Sequence, residues 1–452
     1  MLEKFFKLKE HDTNVQTEVL GGVVTFITMV YVLAVAPSML SDAGMDRSAV
    51  LIASALAAFA GTLIMGLFAN YPFALAPGIG SIAYFTYTAC GTMGYSWQVS
   101  LMAIFIEGII FVILSVTNVR EAIFDAIPHS LKIGISAGVG LFIAFIGMQG
   151  SHLVVANHRT LVSYVNFHEN FHTVGISALL ALIGLMTIVI LYQKNVNGSI
   201  LIGILVTWVL GMLCQKMGLY VPDEAAGFAS LYPHLSWPDL SALKETFGQF
   251  AKADFSGVRI GDFIVVVFAF LFVDMFDTIG TLIGVATKAD MLDEDGKLPG
   301  IKKVLLSDAL ATTVGAVLGT VTTTSYVEST AGVGAGARTG LASVVTALLF
   351  LVSIILAPIF CALPGFATGP ALIFVGFLML SSVIRIDFED LTEAVPAYLS
   401  ILAMPLMYSI AEGITIGVIS YVVINLACGK AKKITPLMYV LAVLFVIKYI
   451  FI

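Results

Sequence analysis

Charge is what this sequence has least of. Of its 452 residues only 11% are Asp, Glu, Lys or Arg, whereas 59% are hydrophobic, and the mean hydropathy is +1.00. Ordinary soluble domains carry about 25% charged residues. So large a shortage excludes a water-facing globular surface and points to a bilayer, whose ~30 Å hydrocarbon layer forbids charge. The net charge of −7 says little, because in such a protein only its distribution over loops matters. Cysteine is scarce as well. Cys90, Cys214, Cys361 and Cys428 show no Cys-x-x-Cys spacing and sit in or beside apolar segments, which excludes a disulfide framework or thiolate metal site and fits buried thiols. The 7 histidines fall in loops or at segment edges. Only His168 and His172 stand four apart, a spacing open to a metal pair but better suited to a solvated loop. No nucleophile–base set emerges, so an enzyme is not expected. A cleavable leader is not expected either, because residues 1–18 are polar and run straight into a long apolar span.

What the sequence has is apolar runs of helix-spanning length, one after another. Fourteen are expected, at 19–40, 48–69, 72–92, 97–117, 130–149, 174–192, 198–218, 262–284, 304–321, 322–340, 341–361, 370–385, 393–410 and 412–428. A further stretch, 434–452, either spans or lies in the interface. The amphipathic connectors Arg120–Pro128 and Ile386–Ala394 follow the fourth and twelfth runs, and the polar loop from Tyr220 to Arg259 divides the chain into two sets of seven. With the N-terminus inside, fifteen of the 22 Lys and Arg residues fall on cytoplasmic segments and six on outer ones, as the positive-inside rule requires. An odd number of spans per half inverts the second half relative to the first, which is the arithmetic of an inverted repeat. Two runs at matching places are poor continuous helices. One is Tyr71–Ala83, broken by Pro72, Pro77, Gly78 and Gly80; the other is Val321–Gly336, where VTTTSYV meets a Gly-rich stretch. Interrupted segments at equivalent positions point to a transporter's binding site.

Acids inside such runs cost about 2.5–3.5 kcal/mol each and need a reason. The eighth run holds Asp274 and Asp277, whose spacing puts both on one helix face. The tenth holds Glu328, where the extended stretch gives way to a helix with Ser329 or Thr330 near its N-cap. In the third run a helix starting near Gly80 and Ser81 offers the same arrangement. These residues suggest a mid-membrane pocket in which carboxylates accept hydrogen bonds from a polar, planar ligand. One neighbouring acid would hold a proton that serves as the coupling ion. Glu107 fits a structural role, Asp308 is placed to snorkel to the cytoplasmic edge, and Glu412 falls at a turn. The loop Lys288–Lys303 contains Asp-Glu-Asp-Gly without calcium-loop spacing. The Gly-rich stretch 331–340 matches no nucleotide-binding pattern and reads as close helix packing.

At FLFVDMFDTIGTLIG, SYVESTAGVGAGARTG and ALAPGIGSIAYFTY the chain resembles the AzgA-like adenine–guanine–hypoxanthine permeases, within the nucleobase–cation symporter-2 group. The resemblance runs nearly end to end. It implies an all-α integral membrane protein of the uracil-permease-like fold, with short strands in the third and tenth spans and no cofactor. It also implies a core of residues 1–117 and 261–361 and a gate of residues 118–219 and 362–452, separated by the 220–260 loop, with an elevator-type motion and a homodimer in the cell membrane. The implied activity is proton-coupled purine uptake, with Asp274 and Glu328 on the substrate and Asp277 as the accompanying acid. Three positions depart from the family's usual residues: Ala36 before Pro37, Ile82 in place of a pocket Asn, and Ala337 before Arg338. Ala36 and Ile82 bear on the choice of purine. A same-fold transporter of anions or other small metabolites is the competing reading, and it would want a basic or neutral pocket.

Overall fold

A computed structural model describes residues 2–117, 127–157, 159–168, 170–223, 228–233, 237–289, 291 and 298–451. Most of the expected Arg120–Pro128 connector and the Asp-Glu-Asp-Gly turn lie outside these residues. Among the described residues, nine helical stretches are long and apolar enough to cross a membrane: Val15–Ser41, Arg47–Ala69, Trp97–Val116, His129–Gly150, Phe171–Gln193, Ser199–Lys216, Gly340–Cys361, Gly365–Arg385 and Ile410–Ala427. The protein is therefore a multi-pass membrane protein. Of the other five expected runs, the eighth falls on an unbroken helix of 29 residues, Ile260–Lys288, and the remaining four fall on elements that are interrupted, shorter or less uniformly apolar.

In chain order the helices used below begin with α1 (Val15–Met29), α2 (Val32–Ser41) and α3 (Arg47–Ile64). Strand β1 (Leu75–Pro77) then leads into the short α4 (Ile79–Ala83), which widens into π turns over Tyr84–Thr92. Next come α5 (Trp97–Val116), α6 (His129–Gly150), the hairpin β2 (Val154–Asn157) and β3 (Leu161–Tyr164), α7 (Ile176–Gln193) and α8 (Ser199–Lys216). The second half holds α9 (Ile260–Lys288), α10 (Ile301–Leu318), β4 (Thr323–Ser325), α11 (Ser329–Gly334), α12 (Gly340–Ser353), α13 (Gly365–Leu380), α14 (Leu391–Leu406), α15 (Ile410–Ala427) and α16 (Pro436–Phe451).

Local chemistry sets the helix ends. Asp46, Ser96, Asp390 and Ser409 each accept a hydrogen bond from a first-turn N–H of the helix that follows, satisfying donors that have no intrahelical partner. The first apolar run breaks between α1 and α2, where Val30 and Tyr31 form a turn and Leu33 N donates to Val30 O at 3.0 Å. At the start of α12 Thr339 Oγ1 accepts from Leu341 N, and a distant residue adds to the cap. The fully buried Glu18 carboxylate of α1 accepts from Arg338 N at 2.8 Å, Thr339 N at 3.2 Å and Ala342 N at 3.3 Å.

The two halves interleave. Helix α12 packs along α1 and α3, and α10 lies against α3 and α5. Elsewhere α13 packs along α6 and α7, while α14 packs along α6 and α15. Lipid removes the hydrophobic drive between helices, so backbones approach through small residues. A Cβ on Gly376 would strike the Gly140 carbonyl, which shows how closely α13 and α6 meet. Polar side chains at the other end of α14 form a cluster. Lys430 Nζ reaches Asp390 Oδ1 at 2.9 Å, and Lys433 Nζ reaches Asp390 Oδ2 at 3.1 Å. The hydrogen bond from Lys430, with those from Thr392 and Lys433, holds the Asp390 carboxyl well below its ordinary range. The Glu393 side chain accepts from Ser130 of α6 and from Tyr421 of α15.

The run 434–452, left open from sequence, is helical over Pro436–Phe451 and packs on α15. The Tyr449 hydroxyl, near its end, donates to Glu412 in the first turn of α15, so the two helices run antiparallel. The thiols are less enclosed than expected, with Cys90, Cys214 and Cys361 half-buried, and Cys428 departs furthest. It is exposed, because it caps the end of α15 just before the polar turn.

Candidate functional site

The two interrupted runs meet. Strands β1 and β4 pair antiparallel, with Leu75 opposite Ser325, Ala76 opposite Thr324 and Pro77 opposite Thr323. The pairing continues on both sides, from Gly78 N to Thr322 O at 2.9 Å and from Tyr326 N to Ala74 O at 3.0 Å. Side chains complete it. Thr62 Oγ1 both donates to Leu75 O and accepts from Leu75 N, at 2.9 and 2.8 Å, and Ser329 Oγ accepts from Ala74 N at 3.0 Å. Non-helical backbone is tolerated at this depth only when its polar groups are satisfied by protein, and the crossing meets that condition. The sequence reason is local: Pro77 and Gly78 stop a helix in one run, and Thr322–Thr324 favour extended backbone in the other.

Around this crossing stand the acids. Glu328 immediately precedes α11 and is half-buried. Its Oε1 accepts from the hydroxyl of the fully buried Tyr31 at 2.7 Å. Asp277 of α9 is also half-buried and close enough to Glu328 and Asp308 for their charges to interact. Gly80, in the first turn of α4, leaves room for it. A Cβ at that position would sit 3.5 Å from Asp277 Oδ2 and 3.0 Å from Val139 Cγ1 of α6. Asp274 lies deeper, fully buried. The Thr278 hydroxyl contacts Asp274 Oδ1 at 3.1 Å, Asp308 Oδ1 at 2.9 Å and Thr324 Oγ1 at 2.6 Å, which ties α9, α10 and β4 together.

The sequence-expected residues thus divide. Asp277 and Glu328 are half-buried beside the crossing, and Gly80 is buried against Asp277. Ser81 is fully buried, and its Oγ has no hydrogen-bond partner among the described residues. Ser329 is engaged in closing the crossing, and Thr330 is half-buried. Ile82 and Ala36 are fully enclosed in the apolar core. Asp308 corrects an expectation: it does not snorkel to the membrane edge but is fully buried on Thr278, because α10 packs along α3 and α5 and presents it to β4. Glu107, expected to be structural, accepts from Thr322 Oγ1 at 3.0 Å beside the crossing.

Three residues escape sequence reasoning: Tyr31, Thr278 and Ser325. The Ser325 hydroxyl is buried without a hydrogen-bond partner among the described residues. Thr278 carried a usable signal, since it stands one helical turn after Asp274. Tyr31 carried none, as its partner is 297 positions away. Chemically, the arrangement offers two half-buried carboxylates as acceptors and two buried hydroxyls without a hydrogen-bond partner among the described residues. That suits a small, neutral ligand rich in N–H groups.

Comparison with known proteins agrees with this architecture. Among solved structures, the transmembrane domain of a cyanobacterium bicarbonate transporter, BicA, superposes with a TM-score of 0.63 at 14% identity, covering 88% of this chain and 97% of that one; at that identity the likeness is one of fold. Guanine/hypoxanthine permease PbuG of Bacillus subtilis is 42% identical over 460 residues, covering 100% of both chains. Adenine permease AdeP of Escherichia coli is 40% identical over 452 residues, covering 100% of this chain and 96% of that protein. The sequence profile of the Permease family (Xan_ur_permease) matches residues 16–416. With that match spanning most of the chain and such relatives aligned end to end, this protein belongs to the permease family.

Proposed function

We propose that this protein imports purine nucleobases together with protons, by alternating access to one site at the β1–β4 crossing. The observation that carries the reading is the pair of half-buried carboxylates, Asp277 and Glu328, contributed by the second half beside a crossing to which both halves contribute. Purines present ring N–H and amino donors that such acceptors fit. The end-to-end likeness to adenine and guanine/hypoxanthine permeases supports the same class. An anion carrier of this architecture is disfavoured by the same acids, which would repel its cargo.

Proton coupling is supported by the valence of one hydroxyl. Thr278 has one proton to donate and two lone pairs, yet contacts three oxygens. All three contacts are satisfied when it donates to one carboxylate and accepts from Thr324 and from the other carboxyl, which then carries a proton. A proton on Asp274 or Asp308, with Asp277 close enough to Asp308 for their charges to interact, can leave or arrive with the ligand.

The packing supports a transport cycle of this kind. In this reading fourteen spans form a seven-plus-seven inverted repeat with the N-terminus cytoplasmic. Spans 1–4 and 8–11 are the moving core, and spans 5–7 and 12–14 are the gate, through which two copies pair. Two contacts between core and gate meet at Tyr408, in the turn between α14 and α15. Thr88 Oγ1 donates to its carbonyl at 3.1 Å, and the Tyr87 ring packs edge-on against its ring at 6.0 Å. The Tyr408 hydroxyl in turn reaches Gln149 Oε1 of α6 at 2.8 Å. These contacts would close the outer end of the path.

The test is uptake by proteoliposomes offered adenine, guanine, hypoxanthine and uracil under an imposed proton gradient. The expected result is purine uptake driven by an inward gradient and lost with a protonophore. Sodium-driven uptake, or uptake of bicarbonate but no purine, would overturn the proposal.

A further inference from the structure

We infer that Tyr31 is a positioning residue for the ligand: its hydroxyl fixes the Glu328 carboxylate so that Oε2 is left to accept from the bound molecule. The inference rests on the purine-import reading and assigns a residue to that site. Tyr31 sits where α1 gives way to α2, and its side chain reaches across to the other half of the chain. The hydroxyl lies 2.7 Å from Glu328 Oε1. An ionised carboxylate only accepts, so the tyrosine O–H is the donor. Tyr31 is fully buried, whereas Glu328 is half-buried. The tyrosine therefore stands behind the carboxylate as seen from the accessible space, and acts through Glu328 on whatever occupies it.

The physical gain is preorganisation. A glutamate side chain has three rotatable bonds, and a free one must be ordered when the ligand arrives, which weakens binding. With Oε1 already engaged, that ordering is complete in the empty protein, and the carboxylate plane is set for one further donor. A ligand with an N–H at this edge gains, and one with only acceptors there does not.

Tyr31→Phe keeps the ring and removes the one donor. Direct binding of radiolabelled hypoxanthine or adenine to purified protein should weaken roughly 5- to 20-fold, and KM for uptake should rise while Vmax, membrane abundance and Tm stay near wild type. A residue needed only for packing would instead lower abundance and Tm and leave KM alone. The coupling is read by a cycle with Glu328→Asp, whose shorter side chain cannot reach the tyrosine. In that background adding Tyr31→Phe should change affinity less than twofold. Equal losses in both backgrounds would show that Tyr31 does not act through Glu328 and would overturn the inference. Should Tyr31→Phe fail to accumulate, Tyr31→Met removes the same donor at similar volume, with the same expectation. Wild-type protein that binds no purine removes the parent reading and this one with it. Wild-type purine binding, lost in Glu328→Gln but unchanged in Tyr31→Phe, removes this one alone.

Discussion

At residue 278 a single hydroxyl joins two carboxyls and a threonine of β4. If a proton held by that group drives transport, Thr278→Val should uncouple it. Valine matches the shape and removes the O–H. Purine binding to the purified variant should stay within a few-fold of wild type, while stimulation of uptake by a proton gradient falls at least tenfold. Undiminished stimulation would place the proton elsewhere. The acids here were legible in the sequence because each breaks an apolar run at a cost no packing argument removes. Their partners were less so. Thr278 could be placed beside Asp274 by helical spacing but not beside Asp308, 30 positions on, and Tyr31 carried no signal, because its contact is made across 297 positions. Burial separates residues that looked alike in sequence. Ser329 closes the crossing, whereas Ser81 and Ser325 keep hydroxyls without a hydrogen-bond partner among the described residues.

Among the elements, α12 owes its start in part to a residue of α1. The Glu18 carboxylate answers three backbone N–H groups there, and with its removal they would lie buried without that acceptor. Glu18→Ala should cost about 2 kcal/mol or more, seen as a lower Tm for the detergent-solubilised protein. Glu18→Gln, which retains an acceptor oxygen, should lose less. An unchanged Tm in Glu18→Ala would mean that the cap contributes nothing. The interruptions that hold β1 and β4 could be foreseen because Pro77, Gly78 and the threonine run oppose helix in their own right, whereas the strands themselves were implied only by the family resemblance. The division of the first run at Val30–Tyr31 could not, since YVLAVAP follows without any breaker before Pro37. The π turns over Met65–Ala69 and Tyr84–Thr92 left no trace either, because their residues suit an α-helix equally well.

Across the whole molecule, each half supplies what the other lacks: β4 completes β1, Glu18 completes α12, and Tyr31 engages Glu328. The seven-by-seven pattern of apolar runs suggested two halves, but only the fold shows them interleaved, because hydropathy records depth and not neighbours. The pairing of α15 with α16 has a consequence for sidedness. The turn at Gly429–Lys433 and the far end of α16 lie at opposite ends of α15, held there by the Tyr449–Glu412 hydrogen bond. Alkaline phosphatase, active only after export, and green fluorescent protein, bright only when left inside, would then give opposite answers at the two places. Fused after Lys433, the fluorescent reporter should glow and the phosphatase stay silent. Fused after Ile452, the phosphatase should be active and the fluorescence lost. Matching answers at both places would mean that α16 lies along the membrane surface, and the last helix would then be a collar and not a crossing.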